Sequence, residues 1–271
     1  MGLGDEIMAT AEAWELFQKT GKKVLQGTPR CEHWSEVFLH NPSFRQPNDG
    51  IDPSDCVYLD NFPGNRPYAQ FRGGKAEWKN WRPKPGKIFL TPEEKVMAWE
   101  RLDSTIYGET DELVIVEPNV KGTVSSRNKD WGFRKWVELQ YRLEDIENIV
   151  VVQLVPDPKP AGYQELLHVD ATIHTETFRE AMAILSYASL FVGTDGGLHH
   201  AAAALSIPAV VIWGGYSSPR NLGYPTQRNI YHDHPLSPCG NLRDCGHCRE
   251  AMEKITVEEV YTAIEEELPD S

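Results

Sequence analysis

Between Glu112 and Trp213 short apolar runs alternate with amphipathic or alanine-rich segments, and that alternation restricts the architecture more than anything else in the chain. "ELVIVEP", "NIVVVQLV", "SLFVGT" and "PAVVIW" have the length and β-branched content of buried strands, whereas "FRKWVELQYRL", "TFREAMAILSYA" and "LHHAAAAL" read as helices. Strands separated by helices predict a parallel, doubly wound α/β sheet. Thr256 and Glu259 in "TVEE" have capping-box spacing, so "VYTAIEEEL" is expected to be a terminal helix.

The first half is less regular. A helix is expected over Glu6 to Thr20, "KKVLQG" and "CVYLD" are strand candidates, and a stretch rich in Pro, Gly and aromatics follows. With a boundary near Tyr107 to Asp111, residues 1–108 form a small or incomplete α/β unit and residues 109–271 a Rossmann-like one, with the terminal helix returning to the first unit. Two such units facing each other place the carboxyl ends of their strands on a shared central cleft, where open α/β sheets bind ligands.

Composition narrows the function. The 271 residues, 40% hydrophobic and 25% charged, describe an ordinary globular protein, and the net charge of -13 argues against a surface built to neutralise nucleic acid. The longest apolar stretch, Ala201 to Trp213, is interrupted by Ser206 and Pro208, too soon for a membrane span. Acids near the N-terminus disfavour a secretory leader, and five cysteines, an odd number, fit a reduced, cytoplasmic setting.

One seam concentrates chemistry. "VGTDGGLHHAAAAL" passes from a strand through Asp195, Gly196 and Gly197 into a helix, so backbone N–H groups point outward from the first turn where glycine lets a ligand approach. Such a turn suits phosphate, although Asp195 as a simple helix cap is an equal reading. Two further motifs accompany it: "GLGDEIMAT", a glycine turn with Asp5 before a helix, and "SSRNKDW", with Ser125, Ser126, Arg127 and Lys129 after the first strand of the second unit.

Taken together these three motifs resemble glycosyltransferase family 9, the ADP-heptose:lipopolysaccharide heptosyltransferases and their relatives. The resemblance implies a GT-B fold and transfer of a sugar from a nucleotide diphosphate with inversion and no required cofactor or metal. It implies Asp5 as catalytic base and Ser125, Ser126 and Lys129 as donor-phosphate residues. Asp195, Gly196, Gly197, Leu198 and His200 stand at the family's donor-binding positions, and His199 is read as a packing residue. Gly196 stands where the family has a hydroxyl residue, only Met1 precedes the turn where the family has a strand, and Gly214-Gly215-Tyr216 replaces the family's G-P-T.

Two stretches stand outside these motifs. "NRPYAQFRGGKAEWKNWRPKPGK" is a basic island in an acidic chain, and Arg66, Arg72, Lys75, Trp78 and Arg82 are its candidates for holding an anionic acceptor, a glycan or glycolipid, or alternatively a nucleic acid. "CGNLRDCGHC" sets Cys239, Cys245 and Cys248 close to His232, His234 and His247, read as loop thiols with structural zinc as the alternative. The expectation is therefore a cytoplasmic glycosyltransferase acting on a nucleotide-sugar donor. The competitors are a nucleotide-sugar epimerase and a catalytically inactive sugar-nucleotide or glycan-binding protein. A dehydrogenase is disfavoured by the absence of G-x-G-x-x-G between a first strand and helix.

Overall fold

The computed structural model describes residues 2–61, 65–103, 112–122 and 124–268. The first half contains α1 (Leu3–Thr20), β1 (Val24–Thr28), β2 (Cys31–His33), β3 (Val57–Leu59), β4 (Ala69–Arg72), β5 (Lys75–Trp78) and α2 (Pro92–Asp103). The second half runs β6 (Glu112–Glu117), α3 (Phe133–Leu143), β7 (Ile149–Pro156), β8 (Ala171–Thr175), α4 (Phe178–Leu185) and β9 (Leu190–Thr194). It continues through α5 (Gly197–Leu205), β10 (Ala209–Trp213), α6 (Pro219–Leu222), β11 (Arg228–Tyr231), α7 (Gly246–Glu253) and α8 (Val257–Glu267).

The second half is the expected doubly wound sheet. Its six strands lie in the order β11-β10-β9-β6-β7-β8, and every neighbouring pair is parallel. Side chains alternate between faces as the two-residue period of a strand requires. Leu113 and Ile115 of β6 join α4 and α5 in one core, whereas Val114 and Val116 join α3 and α8 in the other. The chain reverses direction across the sheet between β6 and β9, which opens a crevice at the carboxyl ends of these two strands. The strands that lacked a sequence signature, β8 and β11, are the partly exposed edges, where no unbroken apolar run is needed.

The first half is slight by comparison. Its sheet has three short strands ordered β2-β1-β3, mixed in direction, beside the separate β4–β5 hairpin. It is stabilised by the second half: one continuous core runs from Ile7, Met8 and Phe38 to Ile115, Met182 and Phe191. Arg179 of α4, 5% exposed, reinforces the joint. Its guanidinium pairs with Glu94 and donates to the carbonyls of Leu39 and Glu36 at 3.2 and 3.3 Å. The boundary expected at Tyr107 to Asp111 lies outside the described residues.

One expectation is corrected. The terminal helix α8 does not return to the first half; Val257, Val260, Ala263 and Ile264 pack against Val192, Val210 and Ile212 of its own sheet, beside Leu139 of α3. Its apolar stripe matches that open sheet face, which α3 alone leaves partly uncovered. The Thr256–Glu259 capping box forms as expected, with Glu259 N–H donating to Thr256 Oγ1 at 3.2 Å and Thr256 N–H donating to Glu259 Oε2 at 2.8 Å. Among the described residues no helix is long and apolar enough to cross a membrane.

Candidate active site

The N-termini of α1 and α5 meet beside the carboxyl ends of β6 and β9, and a cleft of about 1110 Å³ opens over them. The meeting explains several glycines. A Cβ on Gly4 would sit 2.5 Å from His200 Cδ2, and one on Gly197 would sit 3.2 Å from the Phe178 ring and 3.6 Å from Leu3 Cβ. The "GLGD" turn is thus shaped to lie against the "GGLHH" turn. The alanine run of α5 has the same cause: Ala201 and Ala202 are fully buried between the sheet and α1, where larger side chains would hold the layers apart.

Asp195 emerges at the end of β9 and does not cap α5. Its buried carboxylate pairs with Lys129 Nζ at 2.8 Å and accepts from the Ser217 hydroxyl. Burial opposes its ionisation, but Lys129, with smaller contributions from His199 and His200, outweighs that penalty, so the carboxyl is held well below the usual range. The capping role falls to His199, whose Nδ1 accepts the Gly196 N–H at 3.0 Å. That bond fixes the tautomer and leaves Nε2 facing the Leu222 carbonyl at 3.5 Å. His200 Nδ1 lies 2.8 Å from the Tyr224 hydroxyl. Burial depresses the pKa of both imidazoles and keeps them neutral. Asp195, His199 and His200 cluster closely, with Asp195 paired to Lys129, His199 Nδ1 accepting the Gly196 N–H and His200 Nδ1 beside the Tyr224 hydroxyl.

Lys129 lies at the end of a 3-10 turn, Val124–Lys129, whose half-buried Ser125 and Ser126 also line the cleft. Its ammonium also lies 5.2 Å from the centre of the Tyr216 ring. Across the cleft, Asp5 is held by three donors. Arg66 Nη2 lies 3.1 Å from Oδ2, the Gly2 N–H donates to the same oxygen at 3.0 Å, and the Tyr68 hydroxyl donates to Oδ1. Arg66 Nη1 also donates to the Tyr68 oxygen at 2.9 Å.

The cleft therefore brings together Asp5, Ser125, Ser126, Lys129, Asp195, Gly196, Gly197, Leu198 and His200, along with Arg66 and Trp78 of the basic island. Arg72, Lys75 and Arg82 are exposed and do not line it. Cys239, Cys245 and Cys248 gather elsewhere, beside His247.

Glu117 and Tyr216 are among the groups lining the cleft that sequence reasoning missed. Glu117 closes β6, with its Oε1 accepting the Asn119 N–H at 2.8 Å and its Oε2 lying 2.7 Å from the Tyr163 hydroxyl. Burial pushes its carboxyl up to about 7. The available signal was an acid ending an apolar run at the ligand-binding end of a parallel strand. Tyr216, pushed up to about 12 by burial, follows Gly214-Gly215, a stretch noticed only as a departure from the family pattern.

A doubly wound unit whose switch-point crevice carries a glycine-rich helix start, a lysine and an opposed carboxylate has the makings of a site for a phosphate-bearing ligand. The family model for glycosyltransferase family 9 (heptosyltransferase) matches residues 105–244, and the chain belongs to that family. Among solved structures, the iron-containing dodecameric glycosyltransferase TibC from enterotoxigenic E. coli H10407 is similar over 98% of this chain and 74% of its own, at 17% identity and a TM-score of 0.65. A family 9 glycosyl transferase from Veillonella parvula matches over 70% of this chain and 55% of its own, at 18% identity and a TM-score of 0.53. E. coli ADP-heptose lps heptosyltransferase II matches over 67% of this chain, at 18% identity and a TM-score of 0.47, so the chain spans 53% of that protein's length. At these identities the likeness is one of fold. No curated protein sequence gives a significant match.

Proposed function

We propose that this chain is an inverting glycosyltransferase that moves a sugar from a nucleotide diphosphate to an acceptor hydroxyl. The observation that carries the reading is the apposition of Asp5 to Lys129 and the α5 N-terminus across one cleft. The α5 N–H groups of Gly197 and Leu198 and the Lys129 ammonium take the leaving diphosphate. A lysine has three donors, so Lys129 can keep Asp195 while accepting a phosphate oxygen. Because Asp195 already compensates its charge, the helix end has to supply part of the attraction, on the order of 0.3 to 2 kcal/mol.

Asp5 takes the acceptor proton. Oδ2 has two donors, Arg66 and the Gly2 N–H, whereas Oδ1 has Tyr68 alone among the described residues, so Oδ1 is the basic oxygen. The step forms the new glycosidic bond, breaks the bond to diphosphate and leaves the proton on Asp5. In this reading the protein's own cation and helix end, Lys129 and the start of α5, stabilise the departing diphosphate. The family description, heptosyltransferase, supports an ADP-heptose-like donor ahead of a UDP-sugar. An anionic glycan or glycolipid fits Arg66 and Trp78 in the cleft and Arg72, Lys75 and Arg82 outside it.

A second reading, sugar-nucleotide binding without turnover, draws on the same donors: Arg66 and Tyr68 between them engage both carboxylate oxygens of Asp5. Calorimetry with ADP-heptose and UDP-sugars, followed by release of the nucleotide diphosphate in the presence of glycolipid acceptors, separates the two. Binding with transfer supports the enzyme, binding without transfer supports the second reading, and no binding removes both.

A further inference from the structure

Four metal-ligating side chains converge outside the cleft. Cys239 comes from the loop after β11, and Cys245, His247 and Cys248 come from the start of α7; one ligand atom from each lies within 4.8 Å of all the others. Cys239 Sγ is 3.3 Å from Cys248 Sγ, and His247 Nε2 is 3.8 Å from Cys245 Sγ and 3.7 Å from Cys248 Sγ. Metal bonds of about 2.3 Å to sulfur and about 2.0 Å to nitrogen set tetrahedral ligand atoms roughly 3.5 Å apart, so the cluster is already near the required size. Cys239 and Cys248 are too far apart for a disulfide bond of about 2.05 Å.

The surroundings give an ion something to do. The apolar cluster here is small, built on Tyr216, Cys245 and Cys248 with Trp78, Cys239 and Leu242 at its margin. Yet the loop from Cys239 to Arg243 joins three parts of the molecule. The Cys239 and Gly240 N–H groups donate to the carbonyls of Gly215 and Tyr216 at 2.9 and 3.0 Å. Asn128, next to Lys129, donates through Nδ2 to the carbonyls of Asn241 and Arg243 at 2.9 and 2.7 Å. The Ala76 N–H donates to the Gly240 carbonyl at 2.7 Å, and the Leu242 N–H to the Gly74 carbonyl at 2.9 Å, which ties in the β4–β5 hairpin that carries Trp78. A Cβ on Gly215 would sit 3.0 Å from Cys248 Cα, so α7 lies directly on the strand-end turn that leads to Tyr216.

We propose that Cys239, Cys245, His247 and Cys248 bind one thiophilic transition-metal ion, for which zinc is the best chemical match. Four protein ligands leave it no open position, so the ion is structural. It crosslinks the loop to α7 and thereby fixes the Lys129 turn, Tyr216 and the β4–β5 hairpin relative to one another. Binding releases the thiol protons of the three cysteines.

The test uses the full chain, reduced and freed of metal by a chelator, then titrated with Co²⁺ alone and back-titrated with Zn²⁺. We expect about one Co²⁺ per chain, with visible d–d bands and a near-ultraviolet thiolate charge-transfer band that zinc abolishes. Cys245→Ser and Cys248→Ser should each weaken Co²⁺ binding at least tenfold, whereas His247→Cys should keep the ion with shifted d–d bands, which guards against simple misfolding. One equivalent of zinc or iron in the purified protein, lost with the same cysteines, supports the site. Removing the ion should weaken nucleotide-diphosphate binding several-fold, an effect that Lys129→Ala should reproduce without loss of metal. Absence of Co²⁺ uptake by the reduced chain, or full uptake by both serine variants, would overturn the proposal.

Discussion

Two triplets of similar chemistry are built around cleft-lining carboxylates: Lys129, Asp195 and Ser217 on the sheet side, and Arg66, Asp5 and Tyr68 on the side of the first half. Each is a cation, a carboxylate and a hydroxyl, but they differ in access. The Asp195 side chain is 4% exposed at the foot of its lysine, whereas that of Asp5 is 11% exposed and reaches the cleft at the tip of α1. A carboxylate sunk behind a cation orients that cation. One presented at an opening is available to a substrate. On the proposed reading, the same three functional groups hold a leaving group on one side and remove a proton on the other.

The sharpest way to break this comparison is to neutralise Asp5. Asp5→Asn should lower transfer by roughly a hundred- to ten-thousandfold while leaving donor affinity within a factor of about two. Steady-state kinetics paired with calorimetry measures both, and retained turnover would show that the two triplets do not divide the work in this way. Next is Lys129→Ala, expected to weaken nucleotide-diphosphate binding about tenfold or more and, by stranding Asp195, to cost about 3 kcal/mol of stability. Adding Asp195→Asn should restore most of the stability in denaturant titrations but none of the affinity. That outcome would separate the anchor from the ligand.

Smaller effects sharpen the geometry. Gly4→Ala drives a methyl into the His200 ring and should destabilise the fold by about 1 to 3 kcal/mol, read as a lower denaturation midpoint. Glu117→Gln gives the mildest change. Because the folded-state carboxyl is raised from 4.5 to about 7, the folded protein holds the proton more tightly than the unfolded chain does. Stability from this group is thus fully present below pH 4.5 and is lost as pH rises to about 7. The glutamine variant should flatten that part of the stability profile, as thermal unfolding at successive pH values would reveal.

The two halves were unequally legible for a physical reason. Strands β6, β7, β9 and β10 are buried on both faces, so their apolar runs announce themselves, and helix α3 matches its sequence segment residue for residue. The first half is made of short, mixed strands and loops stabilised by packing on α5, and its segments carry little periodicity. Of the island's five acceptor candidates, Arg66 and Trp78 line the cleft and the others do not, because the β4–β5 hairpin directs Arg72 and Lys75 to solvent and Arg82 lies exposed beyond it. Charge composition cannot reveal direction.

The amino-acid order alone determined the parallel sheet, the glycine-rich start of α5 and the capped terminal helix, since propensity, burial period and capping chemistry act within a few residues. Tertiary structure alone decided that Tyr68 and Arg66 bind Asp5, that Lys129 binds Asp195, that His247 joins the three cysteines and that α8 stays on its own sheet. Tyr68 and Asp5 are 63 positions apart, and Lys129 and Asp195 are 66 apart. Contacts over such separations are set by how layers close on one another, and no local pattern records that closure.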